Sequence, residues 1–180
     1  GQYVYHTFEP GKLTAVLPGE EATTKLNNRF AHEGAAYVGG EFDLGSRWKV
    51  NAGLRYSVFN QVGPYDKVVY DEYGTKTGEV IKYKPGESIA LWDGWEPRLS
   101  GRYMINSTSS IKASYTRMYQ YLHLATSSSA TLPTDLWVPS SAVVKPQIAD
   151  QIALGYFKDF KEKKYDAYVE LYYKPMQNQI

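Results

Sequence analysis

The stretch Trp95–Tyr121, with the sequence WEPRLSGRYMINSTSSIKASYTRMYQY, decides the fold of this chain. It consists of two arms joined by the polar segment 106–109, which has the composition of a tight turn. Apolar and aromatic residues alternate with polar residues along both arms, and the apolar face of the second arm is expected to carry Ile111, Ala113, Tyr115, Tyr119 and Tyr121. Because successive side chains of a β-strand point to opposite faces, each arm is expected to have one apolar-aromatic face and one polar face. The stretch therefore predicts a β-hairpin with strands longer than the usual length of about five or six residues.

The composition excludes several classes of protein. The 180 residues are enough for one domain with a core. They contain no cysteine, which rules out a disulfide framework and a thiolate metal site, and the net charge of +1 argues against nucleic-acid binding. No apolar run reaches the length of about 18 residues that a transmembrane helix needs, whereas a transmembrane β-barrel leaves only short alternating segments. The 17 tyrosines outnumber the 4 tryptophans and 6 phenylalanines, which suits positions that are apolar at one end and wet at the other.

More strands are predicted on both sides of this hairpin. They are expected at 3–8, 30–43, 47–58, 147–160 and 165–173. The strand at 47–58 has the cleanest alternation, which a helix would mix between its faces. Segments 68–70 and 79–83 are expected to pair as a small hairpin around Gly74. No segment requires a helix.

The connections between these strands alternate between short and long. Short turns are expected at 44–46, 106–109 and 161–164. Long loops are expected at 9–28, 61–93 and 124–145. Three such loops argue against a compact soluble domain, but outer-membrane barrels have short periplasmic turns and long outer loops. Strands of about 12 residues tilted by about 40° also span the apolar band of about 25 Å. We therefore predict an all-β, antiparallel up-and-down meander of long strands, part of a transmembrane β-barrel.

Short motifs in the sequence also indicate a resemblance to a known family. Six segments carry it: WEPRLS (95–100), RY (102–103), SIKASY (110–115), KPQIADQ (145–151), LGY (154–156) and YYKPMQNQI (172–180). In this order, and with this alternation of turns and loops, they resemble the barrel region of TonB-dependent outer-membrane receptors, especially those of Bacteroidota. The resemblance covers most of the chain from about residue 30 onward.

The resemblance implies a function and a set of partners. Barrels of this kind have about 22 strands around a plug, so residues 1–180 are expected to be one partial barrel domain without the plug or the C-terminal strand. The implied function is ligand-gated, TonB-energised uptake across the bacterial outer membrane, with no enzyme activity and no cofactor. The expected partners are the TonB complex, through the plug region, a siderophore, haem, cobalamin or oligosaccharide ligand, and outer-membrane lipid, but no nucleic acid. Alone in water, such a piece is expected to aggregate through its open edges.

Aromatic residues in or beside the long loops are the candidate ligand-binding residues. They are Tyr65, Tyr70, Tyr73, Tyr83, Trp92 and Trp137. Their faces suit stacking on sugars or apolar ligands. The alternative is that they pack the loops together or anchor the membrane interface.

Cationic residues on the polar face of the strands are expected to point into the lumen. They are Arg47, Lys49, Arg55, Arg98, Arg102 and Lys112. They would meet acids of the plug, line the path of an anionic substrate, or be neutralised by neighbouring acids such as Glu96. Arg117 departs from the pattern because it shares the parity of Ile111 and Tyr115 on the apolar face. A bulge before it, or a position above the apolar band, would explain this.

No catalytic or metal site is predicted. The loop acids have no fixed spacing for a carboxylate pair, and His6, His32 and His123 lack the spacing of metal ligands. The main alternative to a barrel is a soluble β-sandwich that binds carbohydrate through its loop aromatics. In that alternative the apolar faces would be buried between two sheets, with Trp48, Leu54 and Tyr56 in a closed core.

Overall fold

The computed structural model describes residues 1–9, 12–17, 20–25, 27–125, 136–160 and 164–179. The described residues form the strands β1 Gln2–Phe8, β2 Lys12–Leu17, β3 Glu20–Lys25, β4 Arg29–Leu44, β5 Trp48–Val62, β6 Tyr65–Tyr70, β7 Lys76–Tyr83, β8 Ser88–Asn106, β9 Ser109–Gln120, β10 Leu122–Ala125, β11 Leu136–Pro139, β12 Gln147–Phe160, β13 Tyr165–Tyr173 and β14 Met176–Gln177. None of the described segments is a helix long and apolar enough to cross a membrane.

The long strands form one antiparallel sheet in the order β1-β4-β5-β8-β9-β12-β13. Each strand pairs with the next long strand along the chain, which confirms the predicted meander. The short strand β14 also pairs with β12 and continues the register of β13, since Ile152 faces Tyr173 and Ile148 faces Gln177. The two are separated at Pro175, which has no N–H to donate to the ladder. β13 and β14 are therefore one strand with a proline interruption.

The other six strands form three small hairpins, β2–β3, β6–β7 and β10–β11. Two of the hairpins lie within predicted long loops, and β10–β11 begins at Leu122, two residues before the loop predicted at 124–145. By contrast, β4 is joined to β5 by the turn at 45–47, and β8 to β9 by residues 107–108. The alternation of tight turns and long connections is thus confirmed where the structure describes it. The predicted turn at 161–164 lies outside the described residues except for Lys164.

Several strands begin or end at other residues than predicted. β5 runs to Val62 and β8 begins at Ser88, so the long connection between them is 63–87 rather than 61–93. The hairpin within it pairs β6 with β7 as predicted, with Tyr65 opposite Tyr83. At the other end of the central hairpin, β9 stops at Gln120, one residue before the predicted end.

The continuous register gives the sheet two chemically different faces. On the apolar face, Trp48 lies opposite Tyr103, which lies opposite Ile111. Much of this face has no cover from the described residues, since Trp48 is 50% and Leu54 40% exposed. The polar face carries the cations that alternate with these residues. A β-sandwich would bury Trp48 and Leu54 between two sheets, so the one exposed sheet gives that alternative no support.

Two aromatic pairs bound a band of apolar residues on β5 and β8. The Trp48 and Tyr103 rings lie 4.6 Å apart near the turns, and the Tyr56 and Trp95 rings also lie 4.6 Å apart nearer the loops. Eight residues of tilted strand between Trp48 and Tyr56 project to about 20 Å, close to the apolar band of about 25 Å between the aromatic girdles of membrane barrels. The spacing fits a strand pair that crosses a bilayer.

Candidate functional site: the polar face and the loop hairpins

Five of the six predicted lumen-facing cations occupy one face of the sheet. Lys49 is paired with Arg102 and Arg102 with Lys112, so these three residues form a row across β5, β8 and β9. Arg55 and Arg98 share this face through their pairing with Glu96 and Gly53. Arg47 lies in the turn before β5. That this polar face lines a lumen stays a prediction.

Acids on the polar face neutralise some of these cations. The Lys49 ammonium contacts the Glu41 carboxylate and lies 3.8 Å from Asp43. The Lys112 ammonium lies 4.1 Å from the centre of the Phe157 ring, an arrangement that favours a cation–π contact. Within the described part of the chain, no carboxylate is within ion-pair distance of Arg98 or Arg102. The row therefore keeps an excess of positive charge around Arg102.

The Arg55–Glu96 pair is the most buried ion pair on this face. Arg55 Nη1 donates to both carboxylate oxygens of Glu96, at 3.1 and 3.3 Å. The Glu96 side chain is 1% exposed and that of Arg55 is 25% exposed. Burying a carboxylate is costly unless it is paired, so loss of the Arg55 guanidinium would leave Glu96 buried without its partner.

The loop end of β9 departs from the flat sheet. Pairing between β8 and β9 stops at Arg98 and Thr116, although β9 continues to pair with β12 as far as Gln120. Beyond that point the Tyr119 ring lies over Gly94 on the polar side of β8, so closely that a Cβ at Gly94 would overlap the ring. β9 has therefore moved across the polar face of β8. A glycine within a strand often marks such a close approach of another part of the chain.

Tyr121 continues this inward course and reaches the polar face of β5. Its hydroxyl shares a hydrogen bond of 2.8 Å with Ser57 Oγ, and its ring stacks on Phe59 at 5.2 Å between centroids. Ala31, Phe59 and Tyr121 form a small core against which Trp92 and Tyr119 also pack, and we call these five residues the inner cluster. Tyr119 and Tyr121 were predicted to share the outward apolar face of the hairpin, and this was wrong because β9 leaves β8 before it reaches them.

The β10–β11 hairpin is fixed to the inner cluster at its base. Ser140 N donates to Tyr121 O at 2.7 Å, and Trp92 Nε1 donates to Ser141 O at 3.2 Å. His123, in β10, is buried and lies 3.2 Å from Ser140 Oγ through Nε2. Burial lowers the pKa of His123, because it disfavours the charged imidazolium.

The opposite side of the same hairpin is exposed. Leu124 and Trp137 are direct cross-strand partners, and they are 38% and 54% exposed. One side of the hairpin is thus bound to the sheet, while the other presents an apolar and aromatic surface.

The other candidate ligand-binding aromatics differ in how exposed they are and in which element they belong to. Tyr65 is half-buried under the guanidinium of Arg29, at 5.3 Å from the ring centre, and is paired with Tyr83. Tyr70 and Tyr73 lie near the tip of the β6–β7 hairpin and are 55% and 84% exposed. Trp92 lies in β8 rather than in a loop and packs in the inner cluster. Of the six candidates, Tyr70, Tyr73 and Trp137 are the ones with exposed rings.

The histidines have separate partners. His6 Nε2 lies 2.9 Å from Glu33 Oε2, and His32 Nδ1 lies 2.7 Å from the Tyr3 hydroxyl. In the part of the chain that the structure describes, no group of three or more His, Asp or Glu side chains could hold a metal ion.

Arg117 keeps the parity of Ile111 and Tyr115 and has a counter-charge beside it. β9 and β12 pair without a shift from Ser109 to Gln120, so no bulge on this side reorients Arg117. Asp150 lies directly opposite and accepts bonds from Nε at 2.8 Å and from Nη2 at 2.9 Å. The Tyr115 hydroxyl donates to the same carboxylate at 2.7 Å. The charge is therefore tolerated by local neutralisation.

A single meander with an apolar, aromatic-bounded face and a polar face defines the wall of an outer-membrane type of β-barrel. The comparison with protein families agrees: the family model described as "TonB dependent receptor-like, beta-barrel" matches residues 2–180. The chain belongs to this family. Its members are receptors and transporters of the bacterial outer membrane rather than enzymes. Comparisons with curated proteins and with solved structures gave no match.

Proposed function

We propose that this chain forms part of the barrel wall of a receptor in the bacterial outer membrane, which takes up its ligand with energy supplied through TonB. The family match over residues 2–180 carries the proposal. The apolar band between the Trp48–Tyr103 and Tyr56–Trp95 pairs supports a position in the bilayer. The polar face then lines the lumen, where Arg98 and Arg102 meet anionic groups of the plug or of the passing ligand.

The exposed aromatics of the hairpins are proposed to capture the ligand on the outer side. Tyr70 and Tyr73 extend from β6–β7, and Trp137 is presented by β10–β11. An aromatic face suits stacking on a sugar ring or on the apolar surface of a siderophore, haem or cobalamin. The contact with the TonB complex belongs to the plug region, and outer-membrane lipid covers the apolar face.

The proposal is tested by uptake measurements on the full-length receptor in its native membrane. Cells with and without TonB receive labelled cyanocobalamin, haemin, ferric siderophores or a maltooligosaccharide. The probe whose uptake needs both TonB and the receptor identifies the ligand. Tyr73→Ala and Trp137→Ala are each expected to weaken its binding by about tenfold, the loss of one stacking contact. Tyr173→Ala is the matched control, because Tyr173 is 70% exposed but lies on the apolar face.

Three results would count against the proposal. The transport function is wrong if the receptor fractionates outside the outer membrane, or if the uptake of every probe is independent of TonB. If uptake is TonB-dependent but the hairpin variants bind like the Tyr173→Ala control, the proposed capture residues are wrong while the transport function stands.

A further inference from the structure

We infer that Gly94 and Tyr121 are positioning residues for ligand capture. They hold the loop end of β9 against the polar face of β8 and β5, and this fixes the β10–β11 hairpin so that Trp137 is presented at one place. The inference rests on the proposed function, because it assigns Trp137 its task as a ligand contact.

Gly94 supplies the space that the inward course of β9 requires. On its polar side the nearest atoms belong to the Tyr119 ring, and they leave no room for a Cβ. The collision would involve Cζ, Cε1 and Cε2 of the Tyr119 ring, and this ring already packs against the core of Ala31, Phe59 and Tyr121, which limits how far it can turn away. An alanine at position 94 should push Tyr119, and with it the end of β9, away from β8.

Tyr121 fixes the end of the same segment to β5. Ser57 is fully buried and its hydroxyl is bonded to that of Tyr121, while the Tyr121 ring is stacked on Phe59. The hydrogen bond joins residues that are 64 positions apart in the sequence. A buried hydroxyl that loses its partner is destabilising, so the inward position of Tyr121 is specified by this bond as well as by apolar packing.

Tyr121 fixes the position of the β10–β11 hairpin where the chain enters it and where the chain leaves it. β10 begins directly after Tyr121, and Ser140, directly after β11, donates its N–H to the Tyr121 carbonyl. Trp92 binds the carbonyl of the following residue, Ser141, from the inner cluster. Because Trp137 lies three residues before Ser140, a shift of the stems moves its indole as well. Both stems are fixed to the sheet, and the exposed side of the hairpin then points one way.

The experiment measures the position of the hairpin in the full-length receptor in lipid vesicles without ligand. Thiol spin labels at Leu124→Cys and Leu99→Cys report the distance from the hairpin to β8, since the 180 residues contain no native cysteine. Gly94→Ala is expected to lengthen and broaden this distance distribution. Gly101→Ala is the matched control in the same strand, because a Cβ there has nothing within 4 Å. Tyr121→Phe keeps the ring and should increase the displaced population by about tenfold.

The same variants are then compared in the uptake assay with the probe that the wild-type receptor transports. Gly94→Ala is expected to reproduce the binding loss of Trp137→Ala at equal amounts of receptor in the outer membrane, and Gly101→Ala to bind normally. An unchanged label distance in both Gly94→Ala and Tyr121→Phe would overturn the inference. It is also wrong if the hairpin moves but the probe binds with wild-type affinity. If wild-type uptake does not depend on TonB, the transport proposal fails, whereas the label distances still decide whether these residues position the hairpin.

Discussion

Removal of the Asp150 carboxylate is expected to destabilise the barrel, because Arg117 would then be left without its counter-charge. Arg117 donates two hydrogen bonds to this carboxylate, and Asp150 is its direct cross-strand partner. Asp150→Ala removes both bonds, while the β9–β12 backbone ladder is unaffected. The loss should therefore come from the side chains, namely from the unpaired Arg117 guanidinium and from the Tyr115 hydroxyl, which also donates to Asp150.

The exposure of the two side chains sets the size of the effect. The side chains of Arg117 and Asp150 are 39% and 17% exposed, so the charge that is left behind keeps some contact with solvent. A hydrogen bond to a charged group is worth about 1.5–3 kcal/mol, and the single variant should therefore lose about 2–3 kcal/mol.

The assay is reversible urea unfolding of the receptor in lipid bilayers, followed by the shift of the folded band in unboiled gel samples. Asp150→Ala, Arg117→Leu and the double variant Arg117→Leu/Asp150→Ala complete a double-mutant cycle. The double variant should be within about 1 kcal/mol of the wild type, because replacing a whole ion pair by apolar residues is often neutral or stabilising. If Asp150→Ala is no less stable than the double variant, Arg117 has no unmet charge on this face and the reasoning is refuted.

Three further perturbations test other parts of the structure. Arg55→Ala should cost about 3 kcal/mol in the same unfolding assay because it leaves the buried Glu96 unpaired, whereas Arg98→Ala, with an exposed side chain, should change stability by less than about 0.5 kcal/mol. Burial lowers the pKa of His123 in the folded hairpin, so the unfolded hairpin binds more protons as the pH falls below 6.5. Acid should therefore loosen the hairpin, and the mobility of a spin label on it should increase between pH 7.5 and pH 5. His123→Gln should remove this pH dependence. Pro175→Ala should join β13 and β14 by an added donor, visible as slower amide exchange on both sides of the site, and faster exchange would contradict the continuous register.

The sequence was sufficient for the long strands because each has a strict period of two. The segment 48–58 separates Trp48 and Leu54 from Lys49 and Arg55, and the structure places the two sets on opposite faces as predicted. The strand continues to Val62, but the alternation is no longer visible there, since Phe59 is an apolar residue on the polar face. Its partner is Tyr121 in the inner cluster, and no local pattern reports a contact over so many residues.

The candidate site was less predictable for the same physical reason. Parity places Tyr119 on the outward face only as long as β9 stays paired with β8, and the end of that pairing is a tertiary feature. Trp92 was predicted in a loop, but it belongs to a strand and packs under the β10–β11 hairpin. Gly94 was the available signal, because a glycine within a strand of aromatic residues suggests a close approach by another segment.

The tyrosines show why composition alone could not distinguish lipid contact from internal packing. The hydroxyl of Tyr56 donates to Asp93 beside the Trp95 ring, as expected for an interface girdle. Tyr121 has the same amphipathic side chain, but its hydroxyl is buried against Ser57. In both cases the tyrosine hydroxyl has the polar partner that it needs. The two residues differ because β5 is still paired with β8 at Tyr56, whereas the pairing of β8 with β9 has ended before Tyr121. The point where β8 and β9 separate therefore decides which aromatics stay on the apolar face of the sheet and which fix the hairpin that carries the proposed ligand contact.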